Sequence, residues 1–523
     1  MRVSTSQAQN LGVRAILDQQ ARVTRTELEL ASGKKILRPS DDPAASAQLL
    51  ALDENLKTTE QFQTNIALAR QRLQREESTF DAISNALQRV RELAIQANND
   101  SQSNDTRGLI ALELRQRFDE ILNLANTRDA NGEYIFSGFQ GFTQPFSVQP
   151  DGSVTYNGDQ GQRQLQISTS RQISVTDNGF DIFQNILNGN RTFTTLDNPG
   201  NNGSGVIEPG SVIDVSLYDQ DTYTVLFPFS TQAGATLASN DFGTNDTLTY
   251  TLNINGVDVY SADDTGVPPA AATLDELATE INQPANIAAT GVRAYVDNGT
   301  LFLGHVSPSN TDITVTESFS GFTPGDGDTL TGYFGSNLDE TTTSAAINFT
   351  AGDATNYLIV DSAGNVETSD TYVPDARIRV NGIETIIDGQ PLTGDSFTLS
   401  PSTRQDLFET LQNLITTLET DSADTDDLAR LHNSVNRFLT DVDISIDSVI
   451  NTRSRVGARL SALDTQEDAN SSFTLSLQES VSSLQDLDYA EAISRFNVQL
   501  VSLQAAQQAF VRVQNLSLFN FLN

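Results

Sequence analysis

The chain has 523 residues and carries 31 basic against 68 acidic side chains, a formal net charge of −37 at pH 7. This balance disfavours nucleic acids and anionic membranes as partners, because both attract basic surfaces. The absence of cysteine excludes disulfides and thiolate chemistry, and two histidines leave little for metal or acid-base sites, so we expect no cofactor. The length exceeds that of one hydrophobic core and predicts several domains.

The beginning of the chain does not resemble a secretory signal. Arg2 leads into polar residues instead of an apolar run. No segment stays apolar for the roughly 18 residues of a membrane span. On these grounds alone, a cytosolic protein is the default expectation.

Residues 1–40 predict a thin amphipathic helix. The helix covers residues 4–31, and its apolar positions recur at roughly heptad spacing, at Val13, Ile16, Val23 and Leu30. A Ser-Gly step ends it.

A second, much longer helix is predicted from residue 43 to about residue 98. Asp42 can accept its first free amides, and Pro43 suits its first position. Its heptad seam is apolar except for one threonine and comprises Leu52, Thr59, Ile66, Leu73, Phe80, Leu87 and Ala94. The neighbouring seam has one charged exception, Glu76. After a polar turn, a third helix is predicted from the apolar spacing of Ala111, Leu114, Phe118, Ile121 and Ala125.

The middle of the chain differs in charge and in period. Residues 137–400 hold 32 acidic residues, six arginines and no lysine, a net charge of −26, which indicates a separate, solvated unit. Short alternating runs between Gly, Asn and Asp predict strands and tight turns. Residues 137–238 and 340–401 are predicted to form an outer β domain, and residues 239–339 an inserted ββαββ module. The Gly/Asn stretch 198–205 predicts a mobile loop.

Helical periodicity returns after residue 401. Ser402 is predicted to cap a helix that carries four regularly spaced leucines, and a helical rod follows at residues 427–487. The rod repeats an aliphatic residue at every seventh position with one exception, through Leu428, Val435, Val442, Val449, Val456, Leu463, Asn470, Leu477 and Leu484. We interpret the exception, Asn470, as a register-setting or water-bonded residue. A last amphipathic helix within residues 489–522 carries Ile493, Leu500, Leu503, Phe510, Val513 and Leu516.

Two helical ends around a β middle predict an α+β multidomain fold. Long helices cannot bury their apolar stripes alone, so the N- and C-terminal helices must form a long antiparallel, coiled-coil-like bundle from which the central β-rich domains are inserted. We expect residues 1–40 and 489–523 to form a terminal-helix region, and residues 41–136 and 402–488 the long bundle.

Several segments resemble the flagellin superfamily. Leu-Ala-Ser-Gly-Lys-Lys-Ile at residues 30–36, followed by Ser-Asp-Asp-Pro-Ala at 40–44, is similar to its N-terminal signature. Asn-Thr-Arg-Ser-Arg-Val-Gly-Ala-Arg-Leu at 451–460 is similar to its C-terminal region. Asp-Ala-Asn-Gly-Glu-Tyr-Ile-Phe-Ser-Gly at 129–138 resembles the junction members of the superfamily, the hook-associated proteins, and residues 248–303 look like its insertion module.

The resemblance implies an exported structural protein at the junction between flagellar hook and filament, and no enzyme. It implies four partners: hook-associated protein 1, flagellin, further copies of the chain in a ring, and a flagellar export chaperone. It also implies export through the flagellar type III channel without a cleaved signal peptide, and therefore an extracellular location.

The residues themselves lead to an assembly hypothesis. The apolar stripes of the two terminal helices have too few partners within the chain to stay buried in a monomer. The ten apolar residues named above in these helices are therefore subunit-assembly candidates, which we expect to be poorly ordered in the monomer and to fold on assembly. Separately, Arg89, Arg91 and Glu92 resemble a flagellin patch seen by the innate Toll-like receptor, although a solvated helix face is the simpler interpretation.

Other functions remain open at this stage. A filament flagellin is the nearest alternative, and an adhesin or an enzyme carried by the central domains is the second. His305 and His432 begin no His-Glu-x-x-His motif, and no Gly-x-Ser-x-Gly motif occurs, but paired carboxylates stay possible in so acidic a region. The Gly-Asp run at 325–328 matches only a fragment of a calcium loop.

Overall fold

The computed structural model describes residues 5–230, 238–239, 248–263, 273–307, 309, 311–321, 329–420 and 425–519. The chain divides into two compact units. The first comprises Met1–Gln74, Arg163–Val175 and Val456–Asn523, and the second comprises Arg75–Gln162 and Thr176–Arg455. The Gly-Asp run at 325–328 lies outside the described residues.

Helices occupy both ends of the chain, as predicted. The described residues contain eight α-helices, which are α1 (Thr5–Ser32), α2 (Pro43–Ala97), α3 (Asn104–Ala125), α4 (Leu274–Ile281), α5 (Pro284–Thr290), α6 (Leu407–Glu419), α7 (Thr425–Gln485) and α8 (Tyr489–Phe519). At about 1.5 Å per residue, the 61 residues of α7 extend over about 90 Å. The backbone amide of Ala45 donates to the Asp42 carboxylate at 3.0 Å, so Asp42 and Pro43 begin α2 as expected.

The two long helices run antiparallel within each unit. In the first unit, Gln63 of α2 donates a hydrogen bond to Ser471 of α7 at 3.0 Å, and Arg70 pairs with Asp464 at 2.7 Å. In the second unit, Glu77 pairs with Arg453 at 2.6 Å and Arg91 with Asp443 at 2.6 Å. In each unit the residue numbers fall along α7 as they rise along α2, which confirms the predicted antiparallel bundle.

The heptad seams form the bundle core. In α2, Thr59 and the seam residues from Ile66 to Ala94 are buried, and in α7 the seam is buried from Val435 to Leu477. The outermost positions, Leu52, Leu428 and Leu484, are half-buried. Phe473, which follows Asn470 by three residues, is exposed.

A second helix pair, α3 and α6, packs together within the second unit. The five predicted apolar positions of α3 are all buried, and α3 packs against α6. Phe118 of α3 and Phe408 of α6 meet edge to face, with ring centroids 5.9 Å apart. The predicted cap of α6 is wrong, because the side chain of Asp406 accepts the Phe408 amide at 2.7 Å, whereas the Ser402 hydroxyl donates to the backbone oxygen of Asn188.

The middle of the chain is rich in strands. In chain order they are β1 (Phe146–Val148), β2 (Val154–Tyr156), β3 (Gln164–Gln166), β4 (Gln172–Ser174), β5 (Ile186–Leu187), β6 (Phe193–Asp197), β7 (Val206–Ile207), β8 (Ser211–Val212), β9 (Tyr223–Leu226), β10 (Phe229–Ser230), β11 (Ala238–Ser239), β12 (Thr249–Ile254), β13 (Val257–Asp263), β14 (Val292–Asp297), β15 (Thr300–His305), β16 (Ile313–Ser320), β17 (Thr329–Thr331), β18 (Asn337–Asp339), β19 (Ser344–Phe349), β20 (Asn356–Val360), β21 (Val366–Thr371), β22 (Arg377–Val380), β23 (Ile383–Asp388), β24 (Ser396–Pro401) and β25 (Arg404–Gln405). A π-helix spans Phe180–Gln184. All the strand pairs are antiparallel.

Two sheets are built from strands in residues 193–226 and 356–401. One has the order β21-β20-β9-β24-β6, and the other has the order β22-β23-β7, with β8 also paired to β23. The loop at 198–205, predicted to be mobile, is instead held in place. Asn201 is buried and exchanges two hydrogen bonds with the backbone of Ser396, and the buried carboxylate of Asp395 accepts the amides of Asn202 and Gly203.

Residues 249–305 contain the predicted ββαββ elements, and their strands belong to two different sheets. The β12-β13 hairpin joins the sheet β13-β12-β16-β19, while the β14-β15 hairpin pairs with β10. Two elements were not predicted from the sequence: β16, which lies in the interior of its sheet, and the short helix α5. Since β19 pairs with β16, residues beyond 339 contribute to this sheet, and the predicted boundary there stays a prediction.

A small hairpin belongs to the first unit. It consists of β3 and β4, and its tip lies against α7, where the side chain of Asn470 donates to the backbone oxygen of Ile167 at 3.0 Å. Both residues are buried. Asn470 therefore holds the hairpin to the helix through a direct protein contact, and the register-setting or water-bonded role stays a prediction.

Candidate assembly surface on the terminal helices

Helices α1 and α8 lie side by side in the first unit, as predicted for the two ends of the chain. The side-chain amide of Gln19 donates to the backbone oxygen of Gln499 at 3.0 Å, and the Thr26 hydroxyl donates to the Gln499 side chain at 2.9 Å. Arg495 of α8 pairs with Glu29 of α1 at 2.8 Å. These contacts are polar, although the interface between two amphipathic helices is usually apolar.

The segment after α1 and the segment before α8 are joined by backbone hydrogen bonds. The amide of Lys35 donates to the oxygen of Gln485 at 2.7 Å, and the amide of Leu487 donates to the oxygen of Gly33 at 3.0 Å. Gly33 has a φ of +69°, and a Cβ atom there would lie 2.8 Å from the hydroxyl of Tyr489. The turn after α1 and the start of α8 therefore fit together only with glycine at this position.

The pair has almost no hydrophobic core of its own. Among the described side chains of α1 and α8, Ala492 is the only apolar one that is fully buried. The buried polar residues of this pair are Thr26 and Glu29. By contrast, α2 and α7 bury continuous aliphatic seams, so the terminal pair is an amphipathic structure whose apolar side chains are not enclosed.

The structure brings the predicted assembly candidates onto this pair but does not place them alike. Six are half-buried: Ile16, Val23, Leu30, Leu500, Leu503 and Phe510. Val13 and Ile493 are exposed. The side chains of Val513 and Leu516 lie outside the described part of α8, so the role of all ten residues stays a prediction.

Other apolar side chains on the same helices are exposed and were missed. They are Leu11, Leu17 and Leu28 on α1, and Val498, Val501 and Val511 on α8. Their positions do not follow the heptad spacing by which the candidates were chosen, but the three-residue step from Val498 to Val501 is also a helical neighbour relation. We call the exposed apolar residues of α1 and α8, together with Val13 and Ile493, the terminal apolar surface.

The possible receptor patch lies on α2 in the second unit. Val90 is buried, whereas Arg89, Arg91 and Glu92 face outward as expected. Arg89 pairs with Glu92 at 2.9 Å and also with a carboxylate of α3, and Arg91 pairs with α7. The three side chains are thus engaged within the chain, and recognition by an innate receptor stays a prediction.

Two buried carboxyl groups and the two histidines have structural partners or lie in regular structure. Asp441 accepts the Gly189 amide at 2.8 Å, Asp406 caps α6, and burial raises the pKa of each carboxyl to about 6. His432 contacts the side chain of Asn98 at 2.8 Å, and His305 lies on β15. Within the described residues, no group of three or more His, Cys, Asp or Glu side chains is arranged to hold a metal ion. Nor does any described helix combine the length and apolar character of a membrane span.

Two protein-family models match the chain, one at each end. Residues 3–141 match the model of the bacterial flagellin N-terminal helical region, and residues 439–522 match that of the bacterial flagellin C-terminal helical region. Both helical ends of the chain are therefore similar to the corresponding regions of bacterial flagellin.

The relatives that match include flagellar hook-associated protein 3. The protein of Escherichia coli (strain K12) is 32% identical over 186 residues, which cover 36% of this chain and 58% of the relative. The Salmonella typhimurium protein of that name is 30% identical over the same extent. The chain thus spans little more than half the length of these relatives. A flagellin of Salmonella paratyphi A is 27% identical over 58% of this chain and 59% of its own length.

Two solved structures share the fold. A crystal structure of Xanthomonas campestris FlgL covers 82% of this chain and 99% of that chain, with a TM-score of 0.55 and 22% identity. A crystal structure of flagellar hook associated protein-3 from Legionella pneumophila covers 83% of this chain and 98% of that chain, with a TM-score of 0.54 and 23% identity. The predicted fold class, a terminal helical bundle with central β-rich domains, is confirmed.

Proposed function

We propose that the chain is a structural subunit of the bacterial flagellum at the hook-filament junction, built in through its terminal helices. The observation that carries this proposal is the terminal apolar surface, on a pair of long helices that buries almost no apolar side chain of its own. Several exposed apolar side chains on one helix pair indicate a site of association. The similarity to hook-associated protein 3 supports the junction as the place of assembly.

The energetics favour completion by neighbouring copies. Ordering one residue costs about 1–2 kcal/mol, whereas fully burying one Val, Leu, Ile or Phe side chain contributes about 1.5–3 kcal/mol. In α1 and α8 most apolar side chains are half-buried or exposed, so the pair by itself recovers only part of that contribution. Contact with further copies removes the remaining apolar surface from water, and the two helices then fold as part of the assembly.

The proposed partners follow from this place in the flagellum. Hook-associated protein 1 lies on one side, flagellin on the other, and copies of the chain form a ring between them. A flagellar export chaperone covers the C-terminal segment before export through the type III channel, and the protein functions outside the cell.

Fluorescence imaging tests the location. Because the chain has no cysteine, Ser362→Cys on the exposed turn before β21 gives a single labelling site in the β region. We expect one band at the hook end of each flagellum in cells that produce this variant. A label along the whole filament would instead indicate a filament flagellin, the function that the match to flagellins over more than half of the chain favours as second candidate.

Truncation tests the role of the terminal helices. A chain that ends at Phe510 loses the last part of α8 and leaves the described β strands intact. We expect this chain to be absent from purified flagella while its β region stays folded by circular dichroism. Normal incorporation of the shortened chain would contradict the proposed role of the helices.

A further inference from the structure

Two exposed phenylalanines lie on the loop of the second unit between α3 and β1, residues 126–145, which we call the Phe142 loop. Phe142 is 79% exposed and Phe139 is 61% exposed. Large aromatic side chains bury about 150–250 Å² each when they are covered and frequently anchor interfaces. No described element of the chain covers the ring of Phe142 to more than a small extent.

Hydrogen bonds hold this loop in place. The Asp159 carboxylate accepts the amide of Phe139 at 2.9 Å and that of Gly161 at 2.8 Å. The amide of Tyr134 donates to the backbone oxygen of Gly141, which precedes Phe142, at 2.7 Å. An ordered loop loses little conformational entropy when its side chains are buried against a partner.

A groove lies in the first unit. Its volume is about 520 Å³, within the usual range of about 300–1,000 Å³ for binding pockets. The apolar side chains that line it come from the turn after α1, the start of α2 and the end of α7, and they are Ile36, Leu37, Pro39, Leu49, Leu50, Leu56 and Val481. Leu50 is 71% exposed.

We propose that the Phe142 loop of one copy docks into the groove around Leu50 of a second copy. This inference rests on the proposed function and deepens it, because it names the contact that joins one copy to the next. The two surfaces are different, so the contact is head to tail, and repetition of such a contact builds a ring or a helical array instead of a closed dimer.

Charge and position support a second copy as the occupant. Two basic residues, Lys34 and Arg38, and two acidic residues, Asp53 and Asp486, line the groove. Asp53 pairs with Lys57 at 2.7 Å and Asp486 accepts the Ser482 hydroxyl at 2.6 Å, whereas Lys34 and Arg38 form no ion pair among the described residues and can meet the carboxylates of Asp129 and Glu133 on the Phe142 loop. The lining also lies next along the chain to the helices of the terminal apolar surface, because it begins two residues after α1 and ends three residues before α8.

Cross-linking in assembled flagella tests the contact. The double variant Phe142→Cys/Leu50→Cys of the full chain is produced in the bacterium, and purified flagella are treated with a short bismaleimide reagent. We expect a ladder of dimers, trimers and larger products on a denaturing gel, because each copy then carries both ends of the contact. A cross-link within one copy gives no such ladder.

Matched controls define the specificity. Val148 is 51% exposed on β1, so Val148→Cys/Leu50→Cys is expected to give no ladder. Either cysteine alone is expected to give no multimers, and multimers from Phe142→Cys alone would overturn the head-to-tail contact. As a second measurement, Phe142→Asp is expected to lower the amount of the chain in flagella at least tenfold relative to Val148→Asp; equal amounts would overturn the inference.

The outcomes separate the two proposals. If the unsubstituted chain is present at the hook end but the double variant, incorporated normally, gives no ladder, the inference fails and the proposed function stands. If the unsubstituted chain is absent from flagella, the proposed function fails and the inference fails with it.

Discussion

Arg495 of α8 donates a hydrogen bond of 2.8 Å to the carboxylate of Glu29 on α1, and this carboxylate is almost fully buried. Glu29 also accepts from Arg25, one turn earlier on α1, at 3.2 Å. Both arginines are about half-exposed. A buried carboxylate between two cations is thus a main specific link in a helix pair that otherwise lacks a core.

We expect Glu29→Gln to weaken the assembly of the chain. The substitution keeps an acceptor oxygen but removes the charge that both arginines face, and pairs with exposed partners contribute about 1 kcal/mol. This corresponds to self-association about fivefold weaker, measured by light scattering of the purified protein. Glu27→Gln, which removes an exposed charge two residues away, is the control and should behave as the unsubstituted chain. Identical curves for all three proteins would contradict the role of the Glu29 link.

We expect Gly33→Ala to disturb the joint between the terminal helices. Alanine at a φ of +69° costs about 1–2 kcal/mol, and its Cβ would also meet the Tyr489 hydroxyl. Gly132→Ala is the matched control, since Gly132 has a φ of +81° but nothing within 4 Å of the added atom. Incorporation into flagella should fall for Gly33→Ala and stay close to normal for Gly132→Ala. Equal effects would mean that backbone strain alone, and not the joint, is responsible.

We expect Asn470→Ala to release the β3-β4 hairpin from α7. The change leaves the backbone oxygen of Ile167 buried without its donor, at a cost of about 1–3 kcal/mol. Hydrogen exchange of residues 164–174 should become faster. Asn65→Ala removes a comparable bond to the neighbouring oxygen of Gln166 from a less buried side chain, and its effect should be smaller. Unchanged protection in the Asn470 variant would contradict the prediction.

We expect Asp441→Asn to flatten the pH dependence of stability. Burial raises the folded-state pKa of Asp441 to about 6, above the value of about 3.9 in an unfolded chain, so the native state binds this proton more tightly. The resulting stabilisation is complete below about pH 4 and is lost as the pH rises through about 6. Asparagine keeps an oxygen for the Gly189 amide and removes this loss.

Urea unfolding at pH 4.5 and pH 7.5, followed by circular dichroism, measures the effect. Relative to the unsubstituted chain, the variant should lose less free energy of unfolding between the two values, by up to about 2 kcal/mol. Asp468→Asn, on the exposed side of α7, should show the original pH dependence. An unchanged pH dependence of stability in Asp441→Asn would show that burial does not raise the pKa of this carboxyl group.

The helical part of this structure could be predicted because its signal is repeated many times. The seam from Ile66 to Ala94 and its counterpart on α7 hold the same spacing over several turns, and each repeat supports the next. The β region gave weaker signals. β16 was missed although it alternates regularly, and the sheet that a hairpin joins depends on distant strands, which local alternation does not specify.

The two helices that carry the terminal apolar surface could be predicted from the sequence, but the exposed residues on them could not. Heptad spacing selected residues such as Leu500 and Leu503, which are half-buried. The exposed side chains, among them Val498 and Val501, lie on a different face of the same helix. Sequence spacing shows that a helix has apolar residues, but the face that its partner within the chain covers becomes known only from the packing. For the same reason, the Phe142 loop and the groove around Leu50 gave no signal in the sequence.

Hydrogen exchange of the terminal helices tests the central claim most directly. In the proposed assembly, neighbouring copies cover the apolar side chains of α1 and α8. In a dilute, monomeric sample, the backbone amides of residues 495–511 should therefore exchange rapidly, and in purified flagella they should be protected. Strong protection of these residues in the dilute monomer would contradict the account.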